Sequence, residues 1–118
     1  MNKYSTFMLN KMSSSMFLKL YSLSFMINRL DAVYGKEILD HINSFNVSWK
    51  PSHGTLYPIL NDMANEGLIS FSYECDGRKY YTITTWGEQY YRDRAGDFKK
   101  MLSATAKFYR TIANELKI

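Results

Sequence analysis

A mainly helical fold that carries one β-hairpin and closes on a single long helix is predicted by three observations in the 118-residue sequence. Apolar residues recur at steps of three and four in three short segments between Met16 and Met63. Two strand-like runs, "LISFSYE" and "KYYTIT", flank an Asp76-Gly77 pair. From Thr84 onward the apolar residues repeat every seven. The class is mainly α with a β-hairpin (α+β), and the length suits one compact domain with an appended helix.

Each element has its own signal. Residues 1–15, "MNKYSTFMLNKMSSS", are polar and methionine-rich and read as an N-terminal arm or short helix whose serines can cap the next helix. From Met16 to about Arg29, Phe17, Leu20, Leu23, Met26, Ile27 and Leu30 define an amphipathic first helix. "DAVYGKEILDHINSF" restarts the pattern, with Ile38, Leu39, Ile42 and Phe45 on one face. "NVSWKP" is a connector. Pro51 ends any earlier helix, and Ser52 is placed to cap a third one. On that helix Leu56, Ile59, Leu60 and Met63 face inward, and Gly67 terminates it. Pro58 lacks an N–H and disfavours helical backbone at Tyr57, so an irregular first turn or a kink is expected.

In "LISFSYE" strict alternation puts Ile69, Phe71 and Tyr73 on one face. Asp76-Gly77 marks a two-residue turn, because a type I′ turn needs positive φ at both central positions. In the last helix Tyr91, Phe98, Thr105 and Ile112 form one heptad row, and Ala95, Leu102, Tyr109 and Leu116 a second. A seam of that length outlasts contact with so small a body, which favours self-association through these eight residues as a homodimer over packing of the helix on its own domain alone. Three short helices, a hairpin and a long helix make up a winged helix-turn-helix with a C-terminal dimerisation helix. The expected divisions are 1–15 for the arm, 16–84 for the winged domain and 85–118 for the dimerisation helix.

Charge and composition narrow the function. The net charge of +4 is uneven: residues 76–118 hold nine positive and five negative charges, and residues 35–75 hold two and five. A basic second half suits an acidic partner such as nucleic acid, although a solvated basic helix would look the same. Cys75 is the single cysteine and His41 and His53 are the only histidines, which excludes an internal disulfide and argues against a metal site or bound cofactor. No apolar run is long enough to span a membrane, and a cytoplasmic protein is expected. Catalysis would need a nucleophile with its base, a metal cluster or a phosphate loop, and none is present; Glu37 and Asp40 have no acidic or histidine partner at useful spacing.

"YGKEIL", "GTLYPILNDMANEGLI" and "GRKYYTIT…G" occur in this order with close spacing. Together they resemble the PadR family of bacterial winged-helix transcriptional regulators. The matching positions are Tyr34-Gly35, Gly54 to Pro58, Glu66 to Ile69, Gly77 to Tyr81, and Thr84 with Gly87, and the resemblance covers about residues 18–90. It implies a dimer joined largely through the last helix that binds duplex DNA as a repressor. Such proteins commonly carry basic residues after the Tyr-Pro segment, whereas this chain has Asn61-Asp62 and Ala64-Asn65. That departure shifts DNA contact toward the N-terminal end of the third helix and the wing.

Candidate DNA-binding residues cluster in three places. Lys50, Ser52, His53, Thr55 and Tyr57 lie on or beside the first turn of the third helix, whose unpaired N–H groups favour phosphate. Lys50 can neutralise a phosphate, and the others can donate to phosphates or base edges. Ser52 as a plain cap and Tyr57 as a core residue are the bland alternatives. Arg78 and Lys79 beside the turn are candidates for phosphate or the minor groove. At the second helix, Lys36 is a candidate for phosphate. The resemblance suggests a phosphate contact for Tyr34, against packing on the first helix. Trp86, Tyr90, Phe98 and Tyr109 are either core or a dimer-interface pocket for a small aromatic effector. Two other roles fit the same chain: a centromere-binding adaptor of a plasmid or phage partition system, recruiting a tubulin-like motor protein, and a protein–protein module without DNA binding.

Overall fold

The structure, a computed structural model, describes residues 14–45 and 53–118. Its elements are α1 (Ser14–Ile27), β1 (Val33–Tyr34), α2 (Gly35–Asn43), α3 (His53–Asn65), β2 (Ile69–Cys75), β3 (Arg78–Ile83) and α4 (Thr85–Glu115). The three strands form one antiparallel sheet in the order β1-β3-β2. This is a winged helix-turn-helix with a long final helix. The core lies where α1, α2 and α3 meet the inner face of the sheet, and Leu18, Leu23, Ile38, Leu56 and Met63 there are fully buried.

The helix ends obey local chemistry. Tyr34 caps α2 in extended backbone, and its N–H donates to Glu37 Oε1 at 3.2 Å. At the end of α3, the Leu68 N–H donates to the Met63 carbonyl and the Gly67 N–H to that of Ala64, with Gly67 at φ +81°. That is a glycine-terminated Schellman ending, which needs a left-handed residue at this position. Thr84 then caps α4: its Oγ1 accepts from the Gly87 N–H at 2.9 Å and donates toward the carbonyls of Gly67 and Leu68, 2.7 and 3.0 Å away. One residue therefore fastens the start of α4 to the end of α3. Lys19 of α1 reinforces that corner by pairing with Glu66 at 2.7 Å.

Several expectations need correction. α1 stops at Ile27, so Leu30 is fully exposed rather than inward-facing. α2 starts at Gly35, because Val33 and Tyr34 instead pair with Tyr81 and Tyr80 as a short strand. Phe45 lies beyond the end of α2 and is 61% exposed. Pro58 sits inside α3, which continues helically on both sides of it.

Tyr73 is not on the face of Ile69 and Phe71. The Asp76-Gly77 turn, with φ of +53° and +77°, pairs Cys75 with Arg78, Glu74 with Lys79 and Tyr73 with Tyr80. Burial of Ile69 beside Ile83, with Phe71 opposite Tyr81, demands a register displaced by one residue. A bulge between Phe71 and Tyr73 absorbs the difference and sends Tyr73 to the outer face.

Candidate nucleic-acid interface

α3 buries Leu56, Ile59, Leu60 and Met63 and turns Gly54, Thr55, Tyr57, Pro58, Asn61 and Asp62 to the outside. That exposed face holds no lysine or arginine. Beside it, the wing forms the second wall of a groove of about 620 Å³ lined by Tyr34, Gly35, Tyr57, Pro58, Leu60, Asn61, Gly77, Arg78, Lys79 and Tyr81. The floor depends on a glycine: a Cβ at Gly35 would lie 2.5 Å from Tyr57 Cε1, so only a bare backbone lets that ring settle against α2. Tyr57 remains 48% exposed there, part packing and part surface.

The two wing cations diverge, because neighbouring residues on a strand face opposite ways. Lys79 shares its side of β3 with the buried Tyr81, toward α3. Arg78 is drawn back over the outer face, its Cζ 4.9 Å from the centre of the Tyr34 ring. Tyr34 and then the Tyr80 hydroxyl hold the Arg78 pKa above the ordinary arginine value, which for an already protonated guanidinium registers only how close these groups lie. Lys36 pairs with Asp40 one turn along α2 at 3.1 Å, so a phosphate there would compete with that carboxylate. Thr55 is exposed on the first turn of α3, and His53 is its first residue. Lys50 and Ser52 lie outside the described residues.

The structure thus brings Tyr34, Tyr57, Arg78 and Lys79 around one groove. Sequence reasoning missed Asn61 as a lining residue, Tyr80 as a neighbour of Arg78, and Tyr73 as the ring stacked on Tyr80. A signal was present: a strict two-residue hairpin would set Ile69 and Phe71 on the face opposite Tyr81 and Ile83, a conflict that only a bulge resolves. Among the described residues no cluster of His, Cys, Asp and Glu could hold a metal ion. No described helix is long and apolar enough to cross a membrane.

Along α4 the heptad rows divide. Phe98 is buried 5.9 Å from Phe17 of α1, so it serves the subunit's own packing. Tyr91, Ala95, Leu102 and Thr105 are partly buried. Tyr109, Ile112 and Leu116 are 57%, 40% and 61% exposed, with Phe108 beside them at 38%. The four aromatics considered for an effector do not all meet within one chain: Trp86 meets Tyr90 edge to face at 6.1 Å and Tyr90 shares a cavity wall with Phe98, but Tyr109 stands apart from them. Trp86 and Tyr109 lie roughly 35 Å apart along α4, at about 1.5 Å per residue.

A family model described as "Transcriptional regulator PadR-like family" matches residues 23–93. Among solved structures, a transcriptional regulator from Clostridium thermocellum is 25% identical, with 82% of this chain and 97% of that one covered and a TM-score of 0.64. A PadR family transcription regulator from Clostridium difficile is 21% identical over 79% and 98% of the two chains, at a TM-score of 0.61. One from Eggerthella lenta is 21% identical over 80% of each, at 0.58. No curated protein matches the chain at a significant level.

Proposed function

The chain belongs to the transcriptional regulator PadR-like family, and on that footing we propose that it binds specific duplex DNA as a homodimer and represses transcription. The observation that supports this reading best is the groove between α3 and the wing, with Lys79 and Arg78 on its rim and neutral donors on the first turns of α3. The wing supplies cations for the sugar-phosphate backbone, and α3 enters the major groove by its N-terminal end. The exposed apolar end of α4 supports dimerisation. The test is selection of bound fragments from native genomic DNA. Single palindromes at promoters are expected; a row of direct repeats beside a filament-forming GTPase gene would replace repression with partition.

Wing affinity is expected to be largely independent of sequence. Arg78→Ala with Lys79→Ala should weaken binding to every duplex and flatten the salt dependence by about two units per subunit if both touch phosphates. Wild-type affinity at moderate salt in the double variant would remove the wing from the interface.

End-on insertion of α3 gives a different signature. His53→Ala or Thr55→Ala should lower preference for the cognate site by roughly 1–3 kcal/mol per lost base contact. Asp62→Arg should raise affinity for cognate and scrambled duplexes alike. Paired titrations at one salt concentration separate the two. Loss of cognate binding in Asp62→Ala, with His53→Ala and Thr55→Ala unaffected, would mean that α3 reads DNA along its length.

A further inference from the structure

We propose that Tyr34, Tyr80 and Tyr73 form a mount that holds the Arg78 guanidinium ready for a DNA phosphate, and that Tyr73 is a positioning residue for DNA binding although it stands away from the groove. The proposal rests on the DNA-binding reading above and adds a device to it.

The three tyrosines come one from each strand. Tyr34 pairs with Tyr80 across β1 and β3, and Tyr73 with Tyr80 across β2 and β3. Their rings form a continuous row: Tyr73 and Tyr80 stack at 4.5 Å with 12° between planes, and Tyr80 meets Tyr34 at 5.0 Å and 55°. Arg78 closes the row, 4.9 Å from the Tyr34 centre. It lies two residues before Tyr80 on the same strand, so both side chains leave the same face.

The row has a cost in exposure. Tyr73 is 48% exposed on the outer side of a small sheet, and it reaches that side only through the bulge beyond Phe71. A regular strand would turn it toward the face of Ile69. Stacking on Tyr73 restricts the Tyr80 ring, and Tyr80 in turn supports Tyr34, the ring that faces the guanidinium. A free arginine loses several rotatable bonds of freedom when it docks on a phosphate. An arginine already laid across an aromatic face has lost part of that freedom beforehand, so less is surrendered on binding. The Tyr34 ring takes only the flat face of the guanidinium, so that, beside the N–H turned to the Tyr80 hydroxyl, the remaining N–H groups and the charge stay available.

The test uses the full chain in two arms. Without DNA, nuclear magnetic resonance of the Arg78 side chain should show ring-current shifts that move toward exposed-arginine values in Tyr73→Ala and stay in place in Tyr73→Phe. With labelled cognate duplex, Tyr73→Ala should weaken binding by about two- to fivefold, the range for an exposed cation–π contact, and Tyr73→Phe should bind as wild type. In an Arg78→Ala background, Tyr73→Ala should add nothing, a coupling that a merely structural role would not produce. Unmoved Arg78 signals, or the same loss in both backgrounds, overturn the mount. Wild-type protein that binds no duplex overturns the DNA-binding reading and the phosphate part of the proposal with it, while the DNA-free arm still decides whether the mount exists.

Discussion

Aspartate at both Tyr109 and Ile112 is expected to convert the proposed dimer to monomers and to lower its affinity for a two-half-site duplex by about 100-fold or more, the order lost when linked sites become independent. Both side chains are substantially exposed within one subunit, at 57% and 40%. The charges therefore cost the isolated subunit little, whereas burying them between two α4 helices would be expensive. Phe98 would be the wrong choice, because its loss would disturb the packing of α1 on α4 and confuse unfolding with dissociation. Sedimentation and duplex titration on the double variant provide the check. An unchanged dimer would show that the exposed end of α4 is not the seam.

Gly87→Val is expected to destabilise the fold by about 1–3 kcal/mol or more, the usual cost of forcing atoms into a filled site. A Cβ at Gly87 would collide with the Leu68 carbonyl. That carbonyl already accepts from the Thr84 N–H at 3.1 Å and lies 3.0 Å from Thr84 Oγ1, so it cannot retreat without loosening the junction. Gly96 is the internal control. A Cβ there meets nothing within 4 Å, and Gly96→Ala should stabilise the helix by about 0.5–1 kcal/mol. Thermal melts of the two variants should move in opposite directions. A Gly87→Val protein that melts with the wild type would show that the α3–α4 corner is not tightly joined.

Local features were legible in the sequence. Gly67 and Asp76-Gly77 each announce a helix end or turn whose chemistry is complete within a few residues, and each adopts the expected conformation. The inward faces of α3 and of most of α1 and α2 were legible for the same reason, since helical periodicity is a property of one segment. The misreadings depend on partners distant in the chain. Val33 and Tyr34 look like the start of a helix until β3 is available to pair with them. Leu30 completes a periodic pattern that the backbone has already left. Tyr73 obeys alternation only if the turn and the core agree on register, and they differ by one residue. At the candidate interface, residue types beside the third helix and the turn were readable. The opposite facing of Arg78 and Lys79, and the glycine seat beneath Tyr57, required the folded sheet.

The Thr84 junction has a consequence for operator architecture. The same hydroxyl touches the Gly67 and Leu68 carbonyls behind α3 and the Gly87 amide in the first turn of α4. In the proposed dimer, the separation and phasing of the two half-sites are then set by the angle at this corner, carried outward by a helix of 31 residues. Recognition helices that must fall about one DNA turn apart tolerate little angular play. Variation at residues 84–87 would therefore change which spacing between half-sites is accepted, leaving the bases read within each half-site as they are.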